Sequence, residues 1–219
     1  MVGAAIFMHK DEFIVVFFIV FFVVLSYFCF LIARQKKRRG SLRNEGLKPA
    51  NKERARKILK ALKIRSKGAV SLPFGARCYV DDDGDGTFVC DLITLVGIVR
   101  YGGASEITCL GCLLSDNGGQ DFLMRKPSPL EARFELADAW MVEDGWRVWG
   151  PGAERHFFDA LAQEIRCFGD KAILRKQGEV LSIYFRGKHL NEDRVVALLP
   201  EWRRFCDTFR RLSAGQEAK

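Results

Sequence analysis

Histidine is scarce in this chain of 219 residues: His9, His156 and His189 are all there are, and they lie far apart. A zinc site needs four ligands at characteristic spacing, and Cys109-Leu-Gly-Cys112 has no histidines near it to complete one. Enzyme signatures are missing as well. No Gly-x-x-x-x-Gly-Lys phosphate loop, Gly-x-Ser-x-Gly elbow or His-Glu-x-x-His occurs, and Gly84-Asp-Gly86 lacks the third glycine of a dinucleotide fingerprint. Either His156 or His189 would serve as a general base, yet a surface or capping histidine is the plainer reading. Non-enzyme is therefore the expectation, with no cofactor. Charge, too, is absent from one long stretch. Phe13 to Ala33 holds no charged residue and seven of the 18 phenylalanines, the length a helix needs to cross a bilayer core of about 30 Å. The stretch has no small-xxx-small motif to draw a second helix close.

What is present is unevenly placed. The overall charge is +8, but fifteen Lys and Arg fall between Arg34 and Lys67 against only Glu45 and Glu53, a net +13. Residues 68–219 are mildly acidic at −4. Arg34, Lys36, Lys37, Arg38 and Arg39 follow the apolar stretch directly. The positive-inside rule then puts them and the rest of the chain in the cytoplasm, with the short tail of residues 1–12 outside. Asp11 and Glu12 ahead of a long Phe-rich core do not fit a cleaved signal peptide. Anionic headgroups are the nearest partner for such a flank, and nucleic acid is the less expected one.

The domain plan is then a tail over 1–12, a membrane helix over 13–33, a basic linker over 34–72, an α+β domain over 73–214 and a short end at 215–219. Within the linker, Gly40 to Pro49 reads as a flexible spacer. Residues 51–64 read as an amphipathic helix capped by Asn51, with Ala55, Ile58, Leu59 and Leu62 as its stripe. Lys52, Arg54, Arg56, Lys57, Lys60 and Lys63 occupy the rest of its circumference, which suits an anionic membrane surface. Docking of the stripe onto the domain is an equal alternative.

Seven cysteines (Cys29, Cys78, Cys90, Cys109, Cys112, Cys167, Cys206) are an odd number and suit a reducing compartment better than a disulfide framework. Cys109 and Cys112 fall in a strand-like run, so an i, i+3 pair points to opposite faces. A four-thiolate site of Cys78, Cys90, Cys109 and Cys112 is the sharper alternative to packed core thiols. Asp81, Asp83 and Asp85 before Gly86 match the first half of a calcium loop. Position twelve is Leu92 where a bidentate Glu belongs, so an Asp-Gly hairpin turn without metal is the reading. Pairing Asp82 with Gly86 then sets Cys78 opposite Cys90.

Strands are expected at residues 77–80, 87–92, 92–101, 107–114, 122–125, 134–142 and 146–149. Asp116-Asn-Gly-Gly119 joins two of them as a hairpin, and Glu143-Asp-Gly145 joins the last two. Trp140, Trp146 and Trp149 sit in that last pair. With Trp202 they are partner-binding candidates, against core and rim packing. A helix over 153–168 ends at Gly169, and a hairpin turns at Gln177-Gly178. A final helix begins after Asn191 with the seam Val195, Leu198, Trp202, Phe205, Phe209 and Leu212, and Pro200 should kink it or start a second helix. Together these describe a single-pass, membrane-anchored accessory or scaffold protein with a mostly antiparallel sheet and at least two packed helices. The alternatives are an electrostatic tether for anionic lipid or RNA, and an enzyme with an unrecognised site.

Overall fold

The computed structural model describes residues 10–62, 65–66, 69–81, 84–96, 103–114, 120–127, 139–150, 155–185 and 190–217. The chain divides into two units, residues 1–41 and residues 42–219. The first is the body of one long helix, α1 (Lys10–Asn44), whose apolar side chains from Val15 to Ile32 are exposed wherever they are described. Its segment from Val15 has a mean hydropathy of 3.0 and is long and apolar enough to cross a membrane. The helix starts before residue 13 and runs well past 33. Residues 40–44, expected as spacer, are its last turns.

The second unit is α+β. Its strands are β1 (Lys48–Pro49), β2 (Arg65–Ser66), β3 (Ala69–Val80), β4 (Thr87–Val96), β5 (Gly103–Leu113), β6 (Phe122–Arg125), β7 (Trp140–Met141), β8 (Arg147–Trp149), β9 (Ala172–Gln177) and β10 (Val180–Phe185). They form one antiparallel sheet in the order β1-β3-β4-β5-β10-β9-β6-β8-β7, with β2 beside β3. Three helices cover it: α2 (Lys52–Ala61), α3 (Arg155–Ile165) and α4 (Glu192–Glu217). The α+β expectation holds.

Two apolar layers follow from the period-two alternation of the strands. On one face, Ile58 and Leu62 of the α2 region join Cys78, Val80, Phe88, Cys90, Leu92, Ile107 and Cys109. On the other, α3 and α4 bury Phe157, Phe158, Leu161, Ile165, Val195, Trp202, Phe205 and Phe209 against Val89, Leu110, Cys112 and Leu181. Leu42 and Leu47 belong to this second layer, so the folded unit begins some thirty residues before Pro73. Asn51 caps α2 by accepting from Arg54 N at 2.8 Å. Lys48 and Pro49 add the β1 strand beside Val80 and Tyr79.

Some local expectations fail for non-local reasons. The run read as two strands meeting at Leu92 is one strand, β4, paired along its length with β5. Asp116–Gly119 lies outside the described residues, but β5 and β6 are not neighbours, because the β9–β10 hairpin is inserted between them. The helix α4 continues through Pro200, which is exposed; Asn191 caps it, accepting from Arg194 N at 3.0 Å. A single turn loses one backbone bond there, and the buried residues on either side hold the helix in one piece.

Candidate functional site

The acidic turn between β3 and β4 is closed by backbone and side chain together. Asp81 N donates to Thr87 O at 2.8 Å, and Thr87 N donates to Asp85 Oδ1 at 2.9 Å. Gly86 has φ +74, the left-handed region that glycine enters at little cost. A Cβ on Gly84 would come within 2.9 Å of Asp81 Oδ1. From above, α4 supplies two guanidinium groups. Arg203 Nη2 lies 3.6 Å from Asp81 Oδ2 and donates to Glu45 O at 2.9 Å, while Arg210 Nη2 donates to Asp85 O at 2.7 Å. A divalent cation would have to share this turn with two fixed positive charges. Asp83 lies outside the described residues, and no group of three or more His, Cys, Asp or Glu is arranged to hold a metal among the described residues.

The cysteines divide between the two faces of the sheet. Cys78 and Cys90 are register partners with Cα atoms 4.3 Å apart, as the turn register required, and they form a disulfide. That corrects the expectation of reduced thiols: directly opposed cysteines on neighbouring antiparallel strands are already within bonding reach. Cys109 is the register partner of Cys90 on the same face, whereas Cys112 faces α4. A four-thiolate site is thereby excluded, since no single point is close to all four.

The four tryptophans have different fates. Trp146 and Trp202 are fully buried, so they are core residues and offer no surface to a partner. Trp140 is half-buried with its ring edge-on to Phe158, centroids 5.2 Å apart. Trp149 is half-buried under the Arg125 guanidinium, 5.0 Å from its centroid. Met141, 64% exposed, is on the terminal strand β7 opposite Arg147, on the face that carries Trp149 and not the one that carries Trp140. The β7–β8 turn joining this edge has Asp144 at φ 58 and Gly145 at φ 73; Glu143 N donates to Asp159 Oδ1 at 3.0 Å, and Arg166 pairs with Asp144. Sequence reading missed this tie between the turn and α3, because nothing local links residues so far apart.

The basic set is mostly solvent-facing. Lys52, Arg56, Lys57 and Lys60 are exposed and Arg54 is half-buried, while the stripe on the other side of α2 is docked on the sheet. Lys57 pairs with Glu179. On α1, Lys36, Lys37 and Arg39 are exposed, Arg34 is half-buried and Arg38 is buried. Lys63 lies outside the described residues.

His156 is exposed on α3, and His189 lies outside the described residues. A polar chain that sequence reading did not single out runs through the core: Thr108 Oγ1 donates to Asp91 Oδ1 at 3.0 Å and accepts from Leu190 N at 3.1 Å. Asp91 was its one visible signal, a lone charge within an apolar strand.

Burial pushes the Cys109 thiol up to about 12, and burial with its Cys112 contact pushes Cys206 well above the ordinary thiol range. Such a group stabilises the fold fully below 9.0, where thiols of the unfolded chain begin to ionise, and loses that contribution as pH climbs towards 12. Lys176 acts oppositely, because burial lowers its pKa from 10.5 and so favours the fold as pH rises to that value. The expected result is an unfolding free energy, measured by urea titration, that falls between about pH 10.5 and 12 by up to about 1.4 kcal/mol per pH unit for each thiol. Cys109→Ser should flatten that slope; an unchanged slope would remove the thiol from the account.

No family model matches the chain, and no curated protein does. Among solved structures, the crystal structure of the mycobacterial trehalose monomycolate transport factor A, TtfA, is similar at a TM-score of 0.42 and 9% identity, covering 81% of this chain and 92% of that one.

Proposed function

We propose that this is a single-pass membrane protein whose α+β domain is a non-catalytic accessory or scaffold module that holds a protein partner at the membrane. The observation that carries the reading is α1: an apolar run with none of its most apolar window buried, joined to a domain whose own aromatic side chains are largely packed inward. Arg34 to Arg39 favour a cytoplasmic domain by the positive-inside rule. The terminal strands β7 and β8, with half-buried Trp140 on one face of the sheet and half-buried Trp149 with exposed Met141 on the other, are the partner-facing edge in this reading.

A second reading is favoured by the outward cations of α2. With its stripe docked, Lys52, Arg56 and Lys60 present a charged face that would hold anionic lipid headgroups, making electrostatic tethering the main task.

Fractionation of cells making the full chain separates these readings. A spanning helix should keep the protein in the membrane through both high salt and alkaline carbonate, and external protease should digest the domain only after permeabilisation. Release by salt alone would favour the electrostatic tether, since screening acts on charges and not on a buried apolar helix. Digestion outside intact spheroplasts would put the domain on the far side, the side that the Cys78–Cys90 disulfide favours.

A further inference from the structure

We propose that Cys112 and Cys206 are a second disulfide-forming pair, one that ties α4 to the sheet on the face opposite the Cys78–Cys90 bond. Cys112 on β5 and Cys206 on α4 are both fully buried in the same layer, where α4 packs on β5 and the two thiols are close enough to influence one another. Independent contacts bring the same part of α4 over the same part of β5. Arg210, one turn beyond Cys206, donates to Asp85 O at 2.7 Å. Asp85 in turn holds Thr87 N, and Thr87 is the register partner of Cys112. Leu113 N donates to Gly86 O at 3.1 Å, which binds the strand carrying Cys112 to the same turn.

The remaining thiols do not compete. Cys109 is on the other face beside an existing disulfide, Cys167 is exposed at the end of α3, and Cys29 is on α1. Cys112 and Cys206 are about 94 residues apart in the chain, against 12 for the first disulfide, so the new bond would constrain the unfolded chain more.

The oxidant required is a small-molecule disulfide such as oxidised glutathione. A Cys206 thiolate attacks one of its sulfurs and releases one glutathione thiolate; the Cys112 thiolate then attacks Sγ of Cys206 and releases the second. Two protein thiols lose two electrons and two protons, and the small disulfide becomes two thiols. Burial keeps Cys206 protonated in the closed fold, so the exchange proceeds when the α4 turn carrying it opens or before it docks.

The test uses the full chain in mild detergent, equilibrated with oxidised or reduced glutathione, then denatured, alkylated, digested and analysed by mass spectrometry. Oxidation should abolish alkylation of Cys112 and Cys206 together and yield a peptide linking them, with Cys109 still alkylated. The oxidised chain should also melt higher, a shift lost in Cys112→Ala. Free alkylation of both residues while Cys78–Cys90 stays bonded would overturn the pairing, as would separate glutathione adducts on each in the wild-type chain. In Cys206→Ala, Cys112 should be alkylated or glutathionylated; a link from Cys112 to any other cysteine would equally reject it.

Discussion

Phe205→Ala is expected to destabilise the domain by about 3–5 kcal/mol, the range for truncating a large aromatic in a packed core. Phe205 is 2% exposed, stacks on Trp202 with centroids 5.4 Å apart, and meets Phe168 edge-on at 6.0 Å. The ring therefore joins successive turns of α4 to the end of α3, and alanine would leave a void lined by rigid aromatics that cannot collapse into it. Typical domains have about 5–15 kcal/mol of stability in all, so most of the margin would go. Urea unfolding followed by tryptophan fluorescence would measure it, since Trp202 is in direct contact. An unchanged midpoint would remove Phe205 from the core and make the α4 seam a docking surface, where a Phe supports binding and not folding.

Gly111→Ala carries the second large effect, by overpacking instead of by loss. Gly111 lies on β5 opposite Phe88 of β4, and the Phe88 ring covers it. A Cβ there would come within 2.6 Å of ring carbon Cε1 and closer still to Cζ. Phe88 cannot swing aside cheaply, because it is fully buried in the layer that includes Ile58 and Leu62 beneath α2. A cost of about 1–3 kcal/mol follows from forcing an extra methyl into a filled core. Phe88→Leu by itself should also be destabilising, yet in the Gly111→Ala background it should recover part of the loss. The interaction energy of that double-mutant cycle is the diagnostic quantity. Strict additivity of the two changes, or a Gly111→Ala chain as stable as its parent, would contradict the ring-over-glycine contact.

Much of the local structure was legible because it is local. The Phe157, Leu161, Ile165, Phe168 stripe and the stop at Gly169 define α3 and its following turn from spacing alone, and the Gln177-Gly178 turn defines the β9–β10 hairpin. Asn51 and Asn191 cap their helices as their side chains allow. The Asp-Gly turn even determined a register, Cys78 on Cys90, since a hairpin is a local object whose turn sets the pairing on both sides. The i, i+3 spacing likewise sent Cys109 and Cys112 to opposite faces.

Candidate sites were less legible, because a residue type says what it can do and not what surrounds it. Trp146 and Trp202 look like Trp140 and Trp149 in sequence, but the first two are sealed inside and the others remain half at the surface. The acidic turn had half of a calcium motif; what it meets is Arg203 and Arg210, more than a hundred residues later, and only folding brings them over it. The basic stretch after the apolar segment reads as a linker because its composition is polar and charged. Its stripe at Ile58 and Leu62 had an equal claim to lie on a membrane or on a sheet, and the choice fell to the complementary apolar face of β3, β4 and β5.

By itself, then, the sequence determined the elements whose periodicity is carried within one or two dozen residues: a long apolar helix with a basic flank, capped amphipathic helices, and Gly-turned hairpins. Tertiary structure alone decided the strand order, the insertion of β9–β10 between β5 and β6, the continuity of α4 through Pro200 and the anchoring of residues 42–62 to the domain through Leu42, Leu47, Ile58 and Leu62. The physical reason is the range of the forces involved. Caps and turns are satisfied by neighbours in the chain, whereas apolar faces and unpaired strand edges are satisfied by whichever distant surface removes the most of them from water.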